Sequence, residues 1–309
     1  MKRSSINNLL LLLTAFIWGS AFVAQSVGMD YLGPFTFNSI RSIMGGITLL
    51  PVIFIRKRKA DTKGEDRHTG DRKTLIIGGL CCGMALAAAS SLQQIGIMYT
   101  TAGKAGFITA LYILIVPILG LFLGKRAGIR VWFGVALAVA GMYFLCITDG
   151  LSISRGDLLV FLCAIVFSVH ILVIDYFAPK VDGVCLSCIQ FFVSGILCGI
   201  PMFVSEQPMI SQVTAAWMPL IYAGVLSSGV AYTLQIIAQK NTDPTVACLL
   251  LSMESVFSAL TGWVILGEQM SGRELFGCAL MFTAVILAQI PGKKKVVQKC
   301  SPEIRAADK

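Results

Sequence analysis

The chemically informative residues are polar side chains in apolar surroundings. Glu254 stands in the run Leu249-Leu250-Leu251-Ser252-Met253-Glu254-Ser255-Val256-Phe257. An ionisable group among such neighbours is costly, so it carries information. It could coordinate a cationic group of a solute or take up and release a proton. Alternatively, it is a structural carboxylate, held by hydrogen bonds where its helix is broken or tightly packed. On an uninterrupted helix Ala247, Ser258 and Thr261 share its face. Two further stripes have helical spacing: Ser228, Tyr232, Gln235 and Gln239, and Thr14, Trp18, Ala21 and Gln25. Such stripes suit a cavity for a small amphipathic solute, or helix packing through polar side chains. The candidate substrate contacts are therefore Trp18, Gln25, Tyr112, Tyr232, Gln235, Glu254 and Ser258.

His170 is the second candidate for proton coupling, against the alternative of a hydrogen-bonded packing residue. Arg41, with Asn38 one turn earlier, could hold a carboxylate through two hydrogen bonds, or be a structural charge in the outer third of its helix. Asp175 lies near an inner helix end, where Lys180 could pair with it, and Lys104 reads as an exposed outer-loop residue. The ten cysteines lie mostly in apolar runs, where cysteine packs as a small hydrophobe. Cys185-x-x-Cys188 has no second pair, so no metal site or other cofactor is expected. There is no G-x-x-x-x-G-K-[ST], no G-x-S-x-G and no H-E-x-x-H in the chain. ATP hydrolysis and the commonest hydrolytic sites are therefore unsupported.

These groups must be positioned by membrane helices. The 309 residues are 56% hydrophobic and 13% charged, against roughly 25% charged in soluble domains. Ten apolar segments can be marked near 6–27, 34–55, 74–97, 103–123, 129–147, 157–178, 184–204, 217–237, 245–266 and 274–291. The third is diluted by Ser90, Ser91, Gln93 and Gln94, which leaves a nine-span reading open. No strand-like alternation for a barrel is present, so the spans must be helices. With the N-terminus inside, the inner side receives 21 Lys and Arg and the outer side three. That asymmetry places both termini in the cytoplasm and assigns the net charge of +9 to topology and anionic lipid. A nucleic-acid partner is not implied. Met1-Lys2-Arg3 before a leucine run resembles a signal peptide, but no clean cleavage site closes it. A compact chain without an organellar presequence fits a bacterial inner membrane.

The halves resemble each other. Leu123–Leu137 (LGKRAGIRVWFGVAL) matches Leu266–Leu280 (LGEQMSGRELFGCAL) at seven of fifteen positions without a gap. Upstream, Leu92-Gln93 and Thr100 match Leu234-Gln235 and Thr242 at nearly the same offset. The offset, about 143 residues, spans five crossings, an odd number, so the second copy enters from the opposite side. The expected fold is all-α and integral to the membrane, with ten transmembrane helices in two inverted-topology five-helix repeats. Residues 1–147 form the first repeat, with a cytoplasmic loop at 56–73; residues 148–291 form the second, and 292–309 a basic cytoplasmic tail. Gly79/Gly83 and Gly120/Gly124 have the spacing that permits close helix packing. They could equally ease bending, as could Pro117.

The sequence also resembles the EamA family of the drug/metabolite transporter superfamily over nearly its whole length. The resemblance rests on Trp18-Gly19-Ser20, Arg41, Tyr99-Thr100-Thr101-Ala102, and Leu251–Phe257 running on to Leu266-Gly267-Glu268. Gly124-Lys125-Arg126 departs from the Gly-Glu-Arg common in that family. The resemblance implies a ten-helix carrier, generally an exporter of small metabolites or amino acids, and includes a carboxylate at Glu254 in carriers of varied substrates. Repeat and resemblance together point to a secondary transporter of a small solute, seated in the plasma membrane. An intramembrane enzyme and a passive channel or sensor are the alternatives, and homodimer formation is open.

Overall fold

The computed structural model describes residues 3–63, 71–100, 102–124, 128–146, 154–266 and 271–289. The tail 292–309, part of the 56–73 loop, Lys125-Arg126 and Gly267-Glu268 lie outside the described residues, as do the Lys104 and Leu266 side chains.

Hydrophobicity on every face, with capped ends, produces long helices. In chain order they are α1 (Arg3–Gly28), α2 (Pro34–Lys63), α3 (Arg72–Ile97), α4 (Ala102–Thr109), α5 (Tyr112–Phe122), α6 (Ile129–Cys146) and α7 (Arg155–Phe177). Then follow α8 (Gly183–Pro201), α9 (Ile210–Ala215), α10 (Trp217–Ile221), α11 (Thr233–Gln239), α12 (Pro244–Leu251), α13 (Glu254–Leu266) and α14 (Gly272–Gln289). α8 continues as a π-helical turn, Met202–Glu206, and a longer π-helical segment, Tyr222–Tyr232, joins α10 to α11. Eight spans among the described residues are long and apolar enough to cross a membrane, while α6 and α14 carry shorter apolar stretches at Trp132–Gly141 and Leu275–Leu287. The helix ends fall within a few residues of the expected ones, except where α2 runs on to Lys63. α3 is continuous because its polar residues have partners. Gln93 Nε2 donates to Thr109 Oγ1 (3.1 Å) and Gln94 Nε2 to the Gln25 carbonyl (3.2 Å).

Side-chain caps hold the helix starts. Asp71 accepts from the Lys73 and Thr74 amides, which hold its carboxyl below its ordinary pKa. Ser154 and Asp157 form a capping box on α7, and Asp243 caps α12 with Pro244 in its first turn.

The two repeats are visible as a shared irregularity. The fourth span breaks at Ala110–Leu111, between α4 and α5, and the ninth at Ser252–Met253, between α12 and α13. Each break follows a segment of eight residues. Local three-residue bonds replace the four-residue ladder at both breaks, among them Leu111 N to Ile108 O (3.2 Å) and Met253 N to Leu250 O (3.3 Å). The expectation of an uninterrupted ninth helix is thereby corrected: Ala247 lies before the break and does not share a helix face with Glu254. Pro117 lies inside α5 and is not the site of the break. Irregular backbone at membrane depth is tolerated where protein covers it, and Leu249, Leu250, Leu251 and Met253 are all buried.

Packing follows the same twofold logic. α6 lies along α14, and α2 along α8, each helix against its counterpart in the other repeat. α3 rests on α7 and α8, and the eighth span makes the corresponding contacts with α1 and α2. Gly79 and Gly83 of α3 meet Ile189 and Val193 of α8, as their spacing suggests. Among the described residues Gly124 packs against no helix; at φ +74° it closes α5 in a left-handed turn. The α2–α8 pair is tied at both ends. At one, Glu206 accepts from the Phe35 amide (2.9 Å), the Thr36 amide (2.7 Å) and Thr36 Oγ1 (2.6 Å), capping α2 from the other repeat. At the other, Arg56 pairs with Asp182 (3.2 Å), itself the cap of α8. Lys180 lies over the Tyr176 ring, 3.1 Å from its centroid.

Candidate functional site

Both broken helices lead to one buried pocket. Tyr112 is the first residue of α5 and Glu254 the first of α13. They stand at nearly equivalent positions of the two repeats, and both line the pocket. Helix amino ends carry partial positive charge, so the second half of each broken helix directs a favourable dipole, and one polar side chain, towards the same space.

The remaining wall comes from six other segments. α1 supplies Trp18, Phe22 and Gln25, α2 supplies Arg41, and α7 supplies Phe167, His170 and Ile171. Gln93 enters from α3, Thr109 from α4, and Ser227, Tyr232 and Gln235 from the eighth span. Trp18 stacks against Tyr232 at 4.5 Å between ring centroids, and its indole N–H donates to the Ser227 carbonyl (3.4 Å). His170 is hydrogen-bonded to Gln190 Oε1 (3.1 Å) while one ring edge approaches Tyr232.

The cavity is about 30 Å³, room for one or two waters. The conformation is thus contracted, with no space for an organic solute until a wall moves. Several wall groups are also unsatisfied. Glu254 and the Tyr112 hydroxyl face each other within hydrogen-bonding reach, though in poor geometry, and Gln235 Oε1 has no partner. A buried polar atom without a well-made hydrogen bond is costly, and these groups are placed to meet water or solute when the cavity opens.

Six of the seven candidate substrate contacts meet here: Trp18, Gln25, Tyr112, Tyr232, Gln235 and Glu254; His170 joins them. Ser258 does not. It is buried, with its hydroxyl towards Gly106 of α4. The expected Ser228–Tyr232 stripe is also corrected. The π-helical winding of Tyr222–Tyr232 adds about one residue per turn, so Ser227 takes the pocket position while Ser228 packs against Gly45 of α2. Thr14 donates to the Leu10 and Ala231 carbonyls, a packing role. Asn38 donates to the Ser90 carbonyl (2.9 Å) and does not join Arg41.

Phe22 and Gln93 are pocket residues outside the candidate set, and Arg41, read from the sequence as a carboxylate holder or a structural charge, also lines the pocket. Phe22 lies one turn beyond Trp18, and Gln93 matches Gln235 in the repeat, so both carried a usable signal. Ser227 carried none, because π-helical winding has no pattern in the sequence. Exchanging either aromatic partner, Trp18→Ala or Tyr232→Ala, is expected to raise the half-saturating solute concentration about tenfold, the order of a buried ring's contact energy. Wild-type kinetics in both variants would return the pair to a packing role.

Fold and pocket together define a polytopic helical membrane protein of two-repeat architecture around a central polar pocket. Known proteins agree. The sequence pattern of the EamA-like transporter family matches residues 5–147 and 154–289. The chain belongs to that family and is a transporter. An uncharacterized transporter of Archaeoglobus fulgidus is 31% identical over 281 residues, 91% of this chain and 84% of its own length. The uncharacterized transporter YoaV of Bacillus subtilis is 21% identical, covering 88% of this chain and 92% of its own. A WAT1-related chloroplastic protein of Arabidopsis thaliana is 23% identical over 89% of this chain and 67% of its own. A solved crystal structure shares the fold, with a TM-score of 0.76 at 19% identity, over 92% of this chain and 96% of that one.

Proposed function

We propose that the protein is a secondary active transporter that exports a small metabolite or amino-acid-like solute by alternating access. It works in the plasma membrane of a bacterial cell, with both termini in the cytoplasm. The observation that carries this reading is the contracted pocket on which the broken helices of both repeats converge. Inverted repeats around a fixed midplane site allow either mouth to open while the other closes. Glu254 is the leading group for proton coupling, being a buried carboxylic acid beside the Tyr112 hydroxyl.

Counterflow of labelled solute in proteoliposomes tests the proposal. A carrier exchanges internal for external solute and transiently accumulates label against its gradient. A channel lets the label equilibrate without overshoot, and an enzyme returns it chemically altered. Either of the last two results would overturn the carrier reading.

A further inference from the structure

Arg41 is 4% exposed, yet its guanidinium is barely used. An arginine presents five N–H donors in a planar fork. In this structure one of them reaches Gln25 Oε1, at a long 3.4 Å. The Phe37 ring lies 6.0 Å away, the outer limit of a cation–π contact. Glu254 forms no ion pair with Arg41, so it does not neutralise it. Asn38, one turn away, has turned its amide to Ser90.

A structural arginine within a membrane protein normally spends its donors on carboxylates or carbonyls. This one keeps its charge and most of its donors, and it faces a cavity. Gln25 is steadied by a hydrogen bond from Gln94 to its own carbonyl (3.2 Å), so the pair is held from behind. Beside them Trp18 and Phe22 form an apolar wall.

From this geometry we infer that Arg41 and Gln25 form the subsite for an anionic group, a carboxylate or phosphate, on the transported solute. The fork would donate to two oxygens side by side, and the aromatic wall would take the adjoining apolar part. The inference rests on the carrier reading for the word "transported", while binding itself does not depend on it.

The test uses the full chain purified in detergent and a set of size-matched probes: 3-phenylpropionate, phenyl phosphate, phenethylamine and 3-phenylpropanol. Thermal unfolding is followed with each probe. The carboxylate, the phosphate or both should raise the midpoint, and the two arms tell which oxyanion is taken. The amine and the alcohol should leave it unchanged. Arg41→Gln should weaken anion binding about tenfold or more, the scale of a charge-assisted hydrogen bond. Gln25→Leu, which keeps the cation, guards against a folding failure of the first variant and should weaken binding by a smaller factor. Stabilisation by the amine or alcohol, full anion response in Arg41→Gln, or no response to either anion would overturn the subsite. Counterflow of the same probes separates the two ideas. Anions that bind through Arg41 but are not exchanged would sink the carrier and leave the subsite. Exchange of the amine without the anions would do the reverse.

Discussion

A Glu254→Gln protein is expected to insert and fold as the parent does, yet to lose concentrative transport. The substitution keeps the size and shape of a side chain that is 3% exposed, so packing at the start of α13 is preserved. It removes the carboxylate's capacity to exchange a proton or to balance a cation, at a site beside the Tyr112 hydroxyl. Accumulation driven by an imposed proton gradient should fall about tenfold or more, equivalent to roughly 1.4 kcal/mol. If Glu254 couples protons, solute exchange without a gradient should persist while the pH response flattens. If it holds the solute, exchange should fail as well. Unchanged transport with the parental pH response would remove Glu254 from either role. A large fall in the unfolding temperature would instead show the carboxylate to be structural.

His170 provides the contrast. Its ring nitrogen is engaged by Gln190 on α8, and Phe167 and Tyr232 flank it. It borders the same cavity as Glu254, but with its polarity already satisfied on one side. Comparing the pH response after His170→Gln with that after Glu254→Gln therefore tells which of the two groups carries the coupling.

The spans were legible because lipid imposes a crude rule, about twenty apolar residues with charges at the ends. The repeat was legible because glycine, arginine and glutamine recur at one offset, where apolar composition alone would not place them. Legibility stopped where helices depart from ideal winding. A stripe drawn at α-helical spacing from Tyr232 arrives at Ser228, while the π-helical segment puts Ser227 in the wall. The breaks at Ala110–Leu111 and Ser252–Met253 contain no proline and no glycine. At the second, the Ser252 and Ser255 hydroxyls donate to the Leu249 and Ser252 carbonyls, local bonds that compete with the helical ladder and that single-sequence propensity does not register. Arg41 was visible as a costly charge, but whether its donors were spent depended on neighbours from α1, α3 and α8.

The motif Trp18-Gly19-Ser20 shows how local sequence serves the site. Trp18 stacks on Tyr232. Ser20 Oγ lies 2.5 Å from the Tyr222 hydroxyl on the same span. Gly19, between them, lets α1 touch α13. A Cβ at Gly19 would lie 2.6 Å from the Glu254 carbonyl oxygen, 2.6 Å from Phe257 Cβ and 2.8 Å from the Ser258 amide. Two of those neighbours are backbone, which cannot rotate away. Gly19→Val is therefore expected to force α1 off α13 and cost about 1–3 kcal/mol by overpacking. The displacement would separate Trp18 from Glu254, so transport should be lost even in molecules that still fold. Gly272→Val, where a Cβ meets nothing within 4 Å among the described residues, is the matched control and should behave as the parent. A Gly19→Val protein with parental unfolding temperature and parental exchange would show that α1 and α13 separate freely. The close contact that holds Trp18 opposite Glu254 would then have no bearing on function.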